Sequence, residues 1–323
     1  MKRIAGVVAA LAVLAGCGSS PTGTAAPSAS TVSIAQANGT VEYPVGAKRI
    51  VAQGYSIDNV LALGIKPVAI VQLTQPLPAA WQRELLKDVP VITASGTSLP
   101  AEEIAKYKPD LVVGDHRVMK GANVTAVSGV TKVLGGIAAT GKDSGWDAQL
   151  LALGRILGKE AEAKRVIAAD HDAVAAFASK HPGLKGKTGF VAQYAAAASS
   201  FNVIAGPEDP TNSFFAELGL TVPKAIRGEP RFVNPATRGM VSLELLPKVA
   251  ADFMAIYPNG ATGEDLLRLP GYSALPQVQR GTAVVADLDL TYSVYQPTSL
   301  SRAWFLRTME PTLAKVAEQA PVA

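Results

Sequence analysis

The stretch WDAQLLALGRILGKEAEAKRVIAADHDAVAAFASK, Trp146 to Lys180, runs for 35 residues without a proline and is rich in alanine and leucine. Both residue types lose little side-chain freedom in a helix, and only the isolated Gly154 and Gly158 interrupt the run. The composition predicts one long helix, or two nearly collinear ones. Ordinary globular helices span about 8–20 residues, so a run of this length marks a joint between larger units. Short Val- and Ile-rich runs stand on either side of it. Ahead of it lie Arg49-Ile50-Val51-Ala52, Pro67 to Val71 and Leu111-Val112-Val113. After Pro182-Gly183 come Phe190-Val191-Ala192, Phe201 to Ile204, Phe253 to Ile256 and Ala283 to Ala286. Strand-like runs alternating with helical patterns predict sheets covered by helices on both faces. Ser56 to Leu63, with Ser56 as N-cap and Gly64 as the residue beyond the end, supplies the helix of one such unit. The fold class is therefore α/β, with two Rossmann-like lobes joined by one long rigid α-helix. A single α/β domain with an overlong helix is the competing reading.

The amino-terminal residues read differently. Met1-Lys2-Arg3 is followed by an apolar run from Ile4 to Leu14 and then by Leu14-Ala15-Gly16-Cys17. This is the pattern of a signal peptide over residues 1–16, too short for the roughly 20 apolar residues of a membrane span. The quartet ending in Cys17 resembles a bacterial lipobox, and Cys17 is the only cysteine in the chain. A lone thiol in an exported protein has no disulfide partner, so Cys17 is the expected lipid anchor. From there to about Asn38 the chain is mostly Ser, Thr, Pro, Ala and Gly, with no charge and almost no large apolar residue, the composition of a tether; residues 17–39 are expected to be a lipidated flexible one. The expected lobes are residues 40–145 and 182–323, with the connecting helix over 146–181. The formal charge of +4 includes Lys2 and Arg3, which leave with the leader, so the mature chain is near balance and nucleic acid is not an expected partner.

An internal repeat supports two similar lobes. Glu102-Glu103-Ile104 followed by Lys108-Pro109-Asp110-Leu111-Val112 aligns without a gap on Glu244-Leu245-Leu246 followed by Ala250-Ala251-Asp252-Phe253-Met254. In order along the chain, Lys48-Arg49-Ile50-Val51, Leu61-Ala62-Leu63-Gly64-Ile65-Lys66-Pro67-Val68, Glu102-Glu103-Ile104 to Lys108-Pro109-Asp110-Leu111-Val112-Val113, Val241-Ser242-Leu243-Glu244, Leu269-Pro270-Gly271 and Val278-Gln279-Arg280-Gly281 resemble the iron-siderophore and vitamin B12 class of solute-binding proteins of ABC transporters. That resemblance implies the class III periplasmic binding fold, a monomeric extracytoplasmic lipoprotein on the bacterial cell membrane, and delivery of cargo to an ABC permease. It also implies that Glu102 and Glu244, one on each lobe, dock on the permease. Helix-dipole compensation, worth about 0.3–1 kcal/mol, is the other role open to the same two glutamates.

In open α/β sheets ligands sit beyond the carboxyl ends of the strands, which in a two-lobed protein is the cleft between the lobes. The residues just after the strands, or in the loops beside them, are Gln53, Tyr55, His116, Arg117, Gln193, Tyr194, Tyr257, Tyr292 and Tyr295, with Arg227, Arg231 and Arg238 in a Gly- and Pro-punctuated stretch of the second lobe. Tyrosine offers a flat apolar face with a polar tip, and arginine a charged planar fork for carboxylate, catecholate or hydroxamate oxygens. The expected cargo is a ferric siderophore. Bare zinc or manganese needs several His and carboxylate ligands, and the chain has only His116, His171 and His181. No directly bound metal and no resident cofactor are expected. His116 or a cleft tyrosine is a suitable axial ligand to haem iron, so haem is an alternative cargo and a corrinoid a third.

Catalytic signatures are weak. There is no Gly-x-Ser-x-Gly elbow and no Gly-x-Gly-x-x-Gly after a strand, and Gly186-Lys187-Thr188 lacks the earlier glycine of a phosphate loop, His181 standing there instead. The pairs Glu208/Asp209 and Asp287/Asp289 read as a turn and a solvated strand end. The chain is thus expected not to be an enzyme. An exported α/β hydrolase and a non-transport envelope interaction protein are the rivals from other classes.

Overall fold

The computed structural model describes residues 30–36, 39–73, 76–94, 96, 98–115, 118–119, 121–137, 145–206, 209–227 and 238–322. Cys17, the leader, His116, Arg117 and Arg231 lie outside the described residues.

Two five-stranded sheets organise the chain. The first is wholly parallel, in the order β5-β4-β3-β6-β7, built from β3 (Ile50–Gln53), β4 (Ala69–Gln72), β5 (Val91–Thr93), β6 (Leu111–Val113) and β7 (Lys132–Leu134). Its central strands are buried on both faces, as crossover helices on each side require. The intervening helices are α1 (Ser56–Ala62), α2 (Ala101–Ala105) and α3 (Ala122–Ser128). Tyr55, and not Ser56, occupies the N-cap of α1. The Ser56 hydroxyl instead donates to Gln149 at 2.7 Å, joining α1 to the next helix.

The second sheet is mixed, in the order β10-β9-β8-β11-β12: β8 (Gly189–Ala195), β11 (Phe253–Asn259) and β12 (Ala283–Val285) are parallel, while β9 (Ser200–Ile204) and β10 (Arg238–Ser242) form an antiparallel meander with β8. Around it lie α6 (Pro210–Glu217), α7 (Lys224–Arg227), α8 (Gly263–Leu267), α9 (Pro276–Gln279), α10 (Leu288–Tyr295) and α11 (Ser299–Glu318).

The expected 146–181 helix is two helices with different loyalties. α4 (Gly145–Leu157) buries Trp146, Leu150, Leu153 and Ile156 in the core of the first lobe. It ends at Gly158, whose φ of +68° is the left-handed conformation that terminates helices, and Lys159 N–H closes the corner on Gly154 O at 2.7 Å. α5 (Glu160–Lys180) then contributes Ala163 to the first lobe's core and Val174 to the second's. The lobe connector is α5 alone, about 31 Å long at 1.5 Å per residue.

A further correction concerns the tether. Its expected span to Gly39 overlaps β1 (Thr31–Gln36), which pairs antiparallel with β2 (Gly39–Pro44) as a hairpin on the first lobe. Alternation in this pair turns Ile34 and Tyr43 into the core. The Tyr43 hydroxyl donates to Val133 O and accepts from Gln36 Nε2, and burial pushes its pKa up to about 12.

The internal repeat has a structural meaning. Asp110 accepts the N–H groups of Lys48 and Arg49, both at 2.8 Å, and Asp252 accepts Thr188 N–H at 2.8 Å. In each lobe the aspartate pins the entrance of the central strand, β3 or β8, to that of its parallel neighbour.

Candidate functional site

The pleat of the second sheet sorts its residues into two faces. Phe190, Ala192, Tyr194, Phe201, Val203, Met254 and Ile256 point one way, into a closed core. Val191, Gln193, Asn202, Ile204 and Tyr257 border an open pocket of about 120 Å³ on the other face. Register aligns the polar members: Gln193 pairs with Asn202 on β9 and with Tyr257 on β11, so an amide, an amide and a phenol form one row across three strands. All three side chains are only half-buried.

α10 forms the facing wall. Leu288, Thr291, Tyr292 and Tyr295 line the pocket at the i, i+3, i+4, i+7 spacing of one helical face. The Tyr292 and Tyr295 rings meet edge to face with centroids 6.4 Å apart. Asp287 caps this helix by accepting Leu290 N–H at 2.7 Å. The described lining carries no charged residue; it offers aromatic faces and neutral hydrogen-bonding groups.

The sequence-derived candidates divide accordingly. Tyr257, Tyr292 and Tyr295 come together, with Gln193. Tyr194 does not join them; one residue further along β8, it turns to the opposite face and packs at a tilt against the Phe201 ring, centroids 5.3 Å apart. Arg227 is exposed at the end of α7 and donates its Nε to Val222 O at 2.9 Å, its own local turn. Arg238 opens β10 in register with Ile204. On the first lobe, Tyr55 is half-buried beyond the carboxyl end of β3. Beside it Gln53 accepts Asp115 N–H at 3.2 Å, and Gly54, φ +62°, lies so close to Asp115 that a Cβ would meet its Oδ2 at 2.2 Å. Glu102 and Glu244 are both exposed and each enters a helical turn that precedes a parallel strand. Asn202, Thr291 and Leu288 were not among the candidates, although the period of 2 on β9 and the helical spacing after Asp287 carry the signal for them.

Elsewhere the lobes are bridged by buried polar groups. Asp58 on α1, 2 % exposed, accepts from Trp81 Nε1 at 2.9 Å and Gln82 Nε2 at 2.6 Å on its own lobe, and from Thr298 Oγ1 on the other. Burial raises its pKa against the opposing effect of these three donors. Asp287 and Asp289, expected at a solvated strand end, instead cap α10 and reach the first lobe, respectively. The two remaining histidines are engaged at α5: His171 beside Glu217, and His181 beside Glu310 and the Phe177 ring.

Residues 50–288 match the family described as periplasmic binding protein. No curated protein matches the chain in sequence. Among solved structures, a periplasmic solute binding protein from Mycobacterium smegmatis superposes with a TM-score of 0.74 at 21% identity, covering 89% of this chain and 99% of its own. Streptococcus pneumoniae PiaA in complex with ferrichrome gives 0.71 at 20% identity, with coverage of 88% and 98%. Staphylococcus aureus SirA complexed with staphyloferrin B gives 0.70 at 22%, again with 88% and 98% covered. These likenesses establish a shared fold across nearly the whole of each neighbour.

Proposed function

The chain belongs to the periplasmic binding protein family, and from that premise we propose that it captures a ferric siderophore outside the membrane and delivers it to an ABC permease. The observation that carries this reading is the pocket between the Gln193–Asn202–Tyr257 row and the tyrosine face of α10. A siderophore brings its iron already coordinated, so the protein need supply only faces to stack on and groups to bond the chelate's periphery. Three phenols and two carboxamides do that. Neighbours of the same fold were solved with ferrichrome and with staphyloferrin B, which supports cargo of this kind. The protein then acts by binding and release and performs no chemistry on its cargo. Glu102 and Glu244 are the proposed docking points, and Cys17 the proposed lipid anchor of a monomeric carrier. No helix among the described residues is long and apolar enough to cross a membrane, and the anchor reading does not call for one.

Isothermal titration with ferrichrome, ferric staphyloferrin B, haem and a corrinoid tests the cargo. At least one ferric siderophore is expected to bind more tightly than about 10 μM, near −7 kcal/mol. Tyr257→Ala or Tyr292→Ala should weaken it at least about tenfold, since an aromatic contact with its buried area is worth well over 1 kcal/mol. Saturable binding of haem alone, with the Soret shift of a phenolate-ligated iron, would transfer the site to haem, for which tyrosine is a competent axial ligand. Absence of binding by all four would sink the uptake reading.

A further inference from the structure

Helix α10 has a second face. While Leu288, Thr291, Tyr292 and Tyr295 line the pocket, Asp289 accepts Ala80 N–H at 3.0 Å and pairs with Arg83 Nη2 at 2.9 Å. Both partners belong to the turn Ala79–Asp88 of the first lobe, between β4 and β5. That turn is itself held. Gln82 accepts Ala79 N–H at 3.0 Å and donates to buried Asp58, and Trp81 donates to Asp58 while its indole lies against Trp304 of α11 with centroids 5.4 Å apart. Three residues beyond the end of α10, Thr298 caps α11 and also donates to Asp58. The first lobe therefore grips the second at both ends of the α10–α11 corner. The pocket lined by second-lobe residues has its helical wall fastened to the other lobe.

We propose that Asp289 is a positioning residue for ligand binding: the turn at Ala80 and Arg83 acts through its carboxylate to set the angle at which the tyrosine face of α10 meets the cargo. This rests on the pocket being the ligand site. The coupling is reciprocal, because any affinity gained from a docked α10 returns as a tighter lobe contact when ligand is bound. Through Asp289, a cargo that touches only second-lobe side chains is sensed at the lobe interface.

Three variants and two readouts test it in the full chain. Asp289→Ala removes both contacts, Asp289→Asn keeps an oxygen for Ala80 N–H but not the charge for Arg83, and Tyr257→Ala perturbs the pocket from β11 and leaves both Asp289 contacts in place. In the ligand-free protein, hydrogen exchange of the Leu290–Tyr295 amides should quicken about tenfold in Asp289→Ala while α4 and α5 stay protected, as local opening predicts. Ferrichrome affinity, by titration, should fall about fivefold in Asp289→Ala and by less in Asp289→Asn, the scale of a partly exposed ion pair with an added hydrogen bond. Unchanged exchange in Asp289→Ala overturns the positioning role with or without a ligand. Quickened exchange with unchanged affinity, where Tyr257→Ala does weaken ferrichrome, overturns the link to binding and leaves the pocket standing. Where ferrichrome does not bind, ferric staphyloferrin B is the probe for the same three variants; if the probe ignores Tyr257→Ala as well, or neither siderophore binds, the pocket reading fails and takes this proposal with it.

Discussion

Arg302 on α11, 3 % exposed, faces Asp170 on the connector at 3.1 Å and both oxygens of Glu217 on α6 at 2.9 and 2.7 Å, with its guanidinium 4.5 Å from the centroid of the Phe214 ring. Burial pushes the Asp170 carboxyl up to about 6 despite Arg302 beside it. Burial also works against the charge of Glu217, but the bonds from Arg302 and His171 outweigh it and hold that carboxyl below its ordinary value. Removing one member of such a buried group leaves the others uncompensated, so Arg302→Leu is expected to cost about 3–5 kcal/mol in denaturant unfolding at pH 8. Asp170 binds its proton more readily folded than unfolded, so its burden is absent below about pH 4 and grows as pH rises through about 6. The deficit of Arg302→Leu relative to wild type should therefore shrink between pH 8 and pH 5, and a pH-independent deficit would assign the loss to packing. The basic and acidic members of this group are ordinary helix-surface residues in sequence. Nothing local distinguishes Arg302 from exposed Arg307.

Among the elements, the corner between α4 and α5 decides how far the connector is rigid. Gly154 is where α4 meets α5: a Cβ there would stand 2.7 Å from Ala163 Cβ and 3.1 Å from Lys159 O. Gly154→Ala is expected to lower stability by about 1–3 kcal/mol through overpacking, measured as a shift in the denaturant midpoint at unchanged slope. A neutral outcome would mean that the corner slides. Helix content over this stretch was legible in its alanine and leucine composition. The break was not, since a glycine within a helical run is compatible with both continuation and termination, and φ +68° at Gly158 is chosen by what Leu157 and Ala163 bury on either side. The same limit applied to Tyr194. Its position after a strand core made it a candidate, yet a period of 2 places neighbours on opposite faces, and only the packing of Phe201 and Tyr272 says which face is closed.

The whole molecule is two lobes held by α5 and, beside it, by the Asp58–Thr298 bond, the Asp289 contacts and the Trp81–Trp304 pair. With that many fixed points, ligand can shift the lobe equilibrium only slightly. Small-angle scattering with and without a saturating ferric siderophore should differ by a few per cent at most in a radius of gyration of roughly 19 Å. A large compaction would contradict the rigid connector. If Glu102 and Glu244 dock on a permease, Glu102→Ala with Glu244→Ala should impair uptake by cells while titrated affinity stays within about twofold; a matching loss of affinity would move these carboxylates into the site. By itself the sequence determined the two α/β lobes, the joint between them, the pairing of Asp110 with Asp252 in a repeat, and a supply of tyrosines near the strand ends, because these follow from local periodicity, composition and spacing. Only the tertiary structure decided which tyrosines share a pocket and how the lobes are locked. Those depend on sheet register and on contacts such as Ala80 with Asp289 and Asp58 with Thr298, 209 and 240 residues apart, where the buried partner is set by the packing of whole elements.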